Sequence, residues 1–135
     1  MDARGKLKPM DRKFTFILTG IIFWASAAVL MHYLAPVVFD VGSLHIIFWI
    51  ANFFVPVPVI ILLARLTGRT KHEMLAPIAL LALPAMTLDG VSITFDTMGK
   101  THVYASTPEL SGLTGGFLLF AFASFFFWAL LWHRD

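Results

Sequence analysis

Cysteine is absent from all 135 residues, which excludes a disulfide framework, a thiol nucleophile and a thiolate metal site. Charge is scarce as well. Asp, Glu, Lys and Arg together make up 13% of the chain against 59% hydrophobic residues, and a soluble domain of this length needs far more polar surface. The usual chemical motifs are missing too: there is no Glu-x-x-His, no His-x-x-x-His, no Cys-x-x-Cys-His and no glycine-rich phosphate loop. Ser26, Ser92 and Ser124 have no nucleophile elbow or neighbouring base. No catalytic residue is therefore expected, and an enzyme is the class least supported. The formal charge of +2 sits on a few flanks and not along a stripe, so nucleic-acid binding is not expected either.

What is present is a set of long apolar runs, at about 14–35, 44–66, 74–95 and 108–133. Each is long enough to cross roughly 30 Å of hydrocarbon at about 1.5 Å per residue. The fold class expected is all-α, an integral membrane bundle of four transmembrane helices forming one domain over 14–133. A basic cytoplasmic tail of 1–13 precedes it, with Met1 or Met10 as the start, and its first ten residues read as unstructured. Ala25-Ser26-Ala27 resembles a signal-peptide cleavage site, but the apolar run continues through Val29, Leu30 and Leu34, which favours an uncleaved first helix.

Punctuation refines these spans. Pro36 is expected to end the first, and a short turn through Asp40, Gly42 and Ser43 makes the first two spans antiparallel neighbours. Pro56 and Pro58 should kink the second. Thr67-Gly68 breaks the chain before the third, where Pro77 is harmless in the first turn and Pro84 should bend the interior. Ser106-Thr107-Pro108-Glu109 offers the last span a cap, a proline near its first position and, from Ser106 to Glu109, capping-box spacing.

Orientation follows from the basic residues. With the N-terminus cytoplasmic, the inner side holds Arg4, Lys6, Lys8, Arg12, Lys13, Arg65, Arg69, Lys71 and Arg134, against Lys100 alone outside. Both termini are thus expected in the cytoplasm, in a cytoplasmic (inner) membrane.

Depth then places the polar groups. Asp89 lies six residues before Phe95, about 9 Å into the third span; an ionised aspartate at mid-bilayer costs roughly 2.5 to 3.5 kcal/mol on insertion scales, so it should face inward and have a partner. His32 and His45 share its leaflet, Asn52 sits deeper, and Asp40, Asp96 and His102 belong to the outer loops. The candidate intramembrane polar site is Asp89 with His45, His32 and Asn52. One reading makes Asp89 a proton or cation carrier with a histidine beside it; the favoured one makes it hydrogen-bonding glue between helices. His32 and His45 could hold a haem or metal, with Met31, Met86 and Asp89 as further ligands, but isolated interfacial histidines are the favoured reading and no cofactor is expected. Gly90, and the Gly112-x-x-x-Gly116 pair of the last span, are candidate helix-contact positions. Phe117, Phe120, Phe122, Phe125, Phe126 and Phe127 ring that span, which should touch neighbours and lipid.

The stretch Met86-Thr87-Leu88-Asp89-Gly90-Val91-Ser92-Ile93-Thr94-Phe95, a loop, then Gly115-Gly116-Phe117-Leu118-Leu119-Phe120 resembles the small four-span bacterial membrane proteins of the DUF5367 type. The basic start and Trp24 are loosely similar, while the loop Asp96 to Ser106 lacks that family's Phe-Pro-Asn ending. The resemblance implies the four-span architecture and no activity. The function expected is a non-catalytic accessory or interaction subunit of a membrane complex, with the lipid bilayer and other membrane subunits, or a second copy, as partners. The alternative is an oligomeric proton-coupled transporter of a small solute or cation that uses Asp89.

Overall fold

The computed structural model describes residues 9–40 and 44–133, with side chains over 13–39 and 45–133. Five helices carry the described chain: α1 (Pro9–Asp40), α2 (Leu44–Phe54), α3 (Pro56–Thr67), α4 (Leu75–Thr97) and α5 (Pro108–Trp132). A 3-10 turn, Lys71–Glu73, precedes α4. With α2 and α3 taken together, four helical segments are long and apolar enough to span a membrane: Lys13–Phe39, His45–Thr67, Leu75–Thr97 and Pro108–Trp132. Among the described residues there is no strand.

Two apolar clusters show the up-down course of the chain. Phe16, Ala64, Met74 and Ala129 meet at one end, and Ala35, Tyr104, Ala105 and Leu118 at the other. Because α1 and α4 start at the same end, they run parallel. They also form the most extensive contact in the molecule, followed by α4 with α5. The α2–α3 pair packs on α5, and α2 closes the ring against α1 more lightly than α1 meets α4. The principal neighbour of the first helix is therefore the third span.

Gly20 sets that α1–α4 crossing. A Cβ there would lie 2.1 Å from the Leu81 carbonyl oxygen and 2.9 Å from Pro84 Cγ, so only a hydrogen lets the two backbones approach this closely. α4 runs unbroken through Pro84.

Several expectations from the sequence change here. Helix α1 begins at Pro9, inside the stretch read as a tail, while residues 1–8 with Arg4, Lys6 and Lys8 lie outside the described residues. Pro36 does not end α1, which continues to Asp40. Proline removes a single donor, whereas Ala35 and Val38, 0% and 1% exposed, pin the following turn to the bundle. The turn residues Gly42 and Ser43, and Arg134, also lie outside the described residues. The kink expected in the second span is a break at Val55, between α2 and Pro56; the Val55 amide still donates to the Ala51 carbonyl at 2.9 Å. Just before that break, two side-chain hydrogen bonds tie α2 to α5. Asn52 Nδ2 donates to the Phe117 carbonyl (2.9 Å) and Trp128 Nε1 to the Phe53 carbonyl (2.8 Å). Trp49, Phe53 and Phe54 stack on Phe117, Phe120, Phe127 and Trp128, so much of the aromatic ring around α5 is engaged within the chain.

Candidate functional site

Helix α4 carries two buried acids seven residues apart, Asp89 (7% exposed) and Asp96 (1%). Two turns of helix place them on one face about 10 Å apart. Both reach the α4–α5 loop. Asp96 lies in the last turn of α4 and not in the loop itself. Its Oδ1 accepts from Thr101 Oγ1 and, at 2.9 Å, from the Val103 amide; its Oδ2 accepts from the Tyr104 amide at 2.8 Å and from Ser111 Oγ at 3.3 Å. The loop leaves α4 through Gly99, whose φ of 68° allows the Gly99 amide to bond the Asp96 carbonyl and the Lys100 amide the Phe95 carbonyl, both at 2.9 Å. This is a Schellman closure, and glycine is what its left-handed position asks for.

That closure turns the chain back so that Tyr104, fully buried, points its ring into the bundle. The Tyr104 hydroxyl donates to Asp89 Oδ1. Burial first, and then the bond to Asp89, push the phenol above its ordinary range, so Tyr104 keeps its proton and acts as a permanent donor. The indole N–H of Trp24, from α1, lies beside the same hydroxyl but has no hydrogen-bond partner of normal geometry. Three elements thus meet at Asp89: α4, the α4–α5 loop and α1.

Of the four positions expected at the polar site, the structure brings two together. Asp89 and Asn52 (9% exposed) line one cavity of about 130 Å³ with Phe23, Trp24, Phe117, Phe122 and Phe125. His32 and His45 line neither cavity that Asp89 touches. His32 is half-buried, edge-on to Tyr33, on a surface groove with Trp24 and Val103, and His45 is exposed at the start of α2. The histidine neighbour expected for Asp89 is replaced by Tyr104, because the loop folds inward over the helix end. Met31 lines the 130 Å³ cavity and Met86 the groove described next. Among the described residues no group of three or more His, Asp or Glu gathers as a metal site would require.

The glycines also change places. Nothing in the chain lies within 4 Å of a Cβ built on Gly90, Gly112 or Gly116, so none of them carries a helix contact within the chain. All three face an open groove of about 340 Å³ between α4 and α5, which Asp89 lines as well. The close approaches fall at Gly20 and at Gly115, whose Cβ would meet the Ile93 side chain at 3.2 Å. The last helix is capped by Thr107, which accepts from the Leu110 amide. This puts Leu110 at the third helical position and leaves Ser106 and Glu109 out of register for a capping box.

Sequence reasoning missed Tyr104, Trp24 and the role of Asp96. The available signal was Val103-Tyr104-Ala105, an apolar patch inside an otherwise polar loop. Comparison of the chain with protein-family models, with curated proteins and with solved structures finds no match.

Proposed function

We propose that this chain is a multi-pass membrane protein that acts as a non-catalytic accessory or interaction subunit of a membrane complex. One observation carries the reading: both buried acids of α4 are engaged within the chain, Asp89 by Tyr104 of the loop and Asp96 by three loop donors and Ser111 of α5. Polar groups used in this way hold a bundle together and leave its surface to neighbours. That surface is apolar on all sides, with Ile22, Val29, Ile47, Leu62, Leu83 and Leu131 each more than half exposed, as lipid or another membrane subunit requires. The distribution of Lys and Arg, nine flanking one side and Lys100 the other, supports both termini facing the cytoplasm in an inner membrane. Kinship with the DUF5367-type proteins, resting on Met86 to Phe95 and Gly115 to Phe120, belongs to the same proposal. The test is extraction of the tagged chain in a mild detergent or as native-lipid discs: a second polypeptide at fixed stoichiometry is expected, and recovery of this chain alone would reject the subunit reading.

A second reading, an oligomeric proton-coupled transporter of a small solute or cation, is favoured by the position of Asp89 on both the 130 Å³ cavity and the 340 Å³ groove. Its test is proton flux in proteoliposomes, expected to vanish in Asp89→Asn; flux equal to that of empty vesicles for the wild type would dismiss it.

A further inference from the structure

The cavity between α1, α2, α4 and α5, which opens to the surface past Leu30 and Val55, has an apolar wall interrupted by two polar side chains, Asn52 and Asp89. At about 130 Å³ it is close to the dry apolar cavity of about 150 Å³ that admits a benzene ring. The Asn52 amide N–H is already directed at the Phe117 carbonyl. Asp89 receives the Tyr104 hydroxyl on one oxygen, and a carboxylate has about four acceptor positions. The wall therefore offers an acceptor with unused capacity, surrounded by the rings of Trp24, Phe117, Phe122 and Phe125.

This combination selects by charge. An ammonium ion gains from the carboxylate and, within about 6 Å of ring faces, from their negative quadrupoles; an apolar body attached to it gains from leaving water or headgroups. A neutral molecule of the same shape forgoes the first two terms, and an anion is repelled. Asp89 also lines the glycine-floored α4–α5 groove, so a head group held on Asp89 can carry a longer body into that groove.

We infer that the Asp89 cavity binds a lipophilic ammonium ion, with the cation on the Asp89 carboxylate and a ring-sized apolar body among Trp24, Phe117 and Phe122. The inference rests on the solute-transport reading to the extent of naming its ligand class, and it is read by binding alone. Binding without flux would count against transport and leave the site standing.

The probe is 2-phenylethylammonium compared with 2-phenylethanol, titrated calorimetrically into the full chain in lipid nanodiscs, with protein-free discs as the partitioning baseline. The ammonium is expected to bind at least tenfold more tightly than the alcohol. Asp89→Asn keeps an oxygen for the Tyr104 hydroxyl and should bring the two to equal affinity. Ala121→Leu, which adds bulk to the cavity wall without touching the carboxylate, should weaken both at least tenfold. Equal affinities in the wild type, no binding above the baseline, a preference retained in Asp89→Asn, or unchanged affinity in Ala121→Leu would each overturn the site.

Discussion

At the Tyr104 end of the bundle two carboxylates on one face of α4 reach into a single loop, whereas at the His72 end the connection from α3 to α4 is held by a local Thr70–Glu73 turn and by contacts to Trp132 at the end of α5. Gly68, with φ of 64°, closes α3 as Gly99 closes α4. There the similarity stops. Beyond Gly99 the chain dives under Asp96 and buries Tyr104 and Ala105 completely. Beyond Gly68 it stays near the surface: Glu73 accepts from the Thr70 amide (2.9 Å) and hydroxyl (3.1 Å), His72 Nδ1 donates to the Trp132 carbonyl, and Lys71 lies 4.8 Å over the Trp132 ring. Below it the seal is apolar packing of Phe16, Ile60, Ala64, Met74 and Ile78. One end is thus specified by buried hydrogen bonds, which tolerate no unpaired partner, and the other by packing with exposed clips, which are individually weak.

The comparison is broken most directly at Asp96. Asp96→Ala would leave the buried Tyr104 amide and the Val103 amide without acceptors, each unsatisfied group costing about 1 to 3 kcal/mol, so a combined loss of roughly 3 kcal/mol or more is expected. Asp96→Asn should rescue little, because its NH2 would face an N–H whichever way the amide is turned. Thermal unfolding of the purified chain checks both; a melting temperature within a degree of wild type for Asp96→Ala would show that the loop is not held this way.

Gly20→Ala comes next and tests whether the α1–α4 crossing, shared by both ends, is as tight as the Leu81 carbonyl makes it. The clash is with backbone, so the helices must separate, and overpacking of that kind costs about 1 to 3 kcal/mol. Gly115→Ala is the control, since it meets only the Ile93 side chain, and should be clearly milder by the same melting measurement.

Tyr104→Phe removes one hydroxyl and leaves the Asp89 carboxyl without its donor, for an expected loss of about 1 to 2 kcal/mol. Asp89→Asn preserves an acceptor and should lose less. Equal losses for the two would mean that the charge of Asp89 matters for the fold as much as its bond to Tyr104. The raised phenol adds a sign: a neutral Tyr104 supports the fold below the ordinary value of 10.0, and this support should fade as pH rises beyond it, in the wild type but not in Tyr104→Phe.

The helices were legible because run length and hydropathy decide them locally, and so was the burial of Asp89, because an ionisable group inside an apolar run has few other options. Its partner was not legible. Tyr104 is 15 residues away in a loop that is polar by composition, and only the tertiary turn at Gly99 directs it inward. The glycines show the same limit from the other side: Gly112 and Gly116 match a spacing motif yet face an open groove, while Gly20, in no pattern, makes the closest crossing. Pro36 likewise reads as a stop by local rules, and burial of Ala35 and Val38 overrides it.

The smallest expected effect lies at the other end and makes the comparison quantitative. Glu73 is held below its ordinary value of 4.5, chiefly by the Thr70 amide and then by the Thr70 hydroxyl. A carboxylate lowered on folding contributes stability that is fully present above its unfolded value and is lost as pH falls through the folded one. Glu73→Gln should therefore lower the melting temperature slightly at pH 7, and the gap from wild type should close as pH falls below about 4.5. Because the side chain is in solvent, about 1 M salt should weaken its charge-dependent part, whereas the loss in Asp96→Ala should barely respond. A Glu73→Gln effect as large as that of Asp96→Ala would mean that the His72 end, too, depends on a hydrogen-bonded acid, and the contrast between the two ends would have to be abandoned.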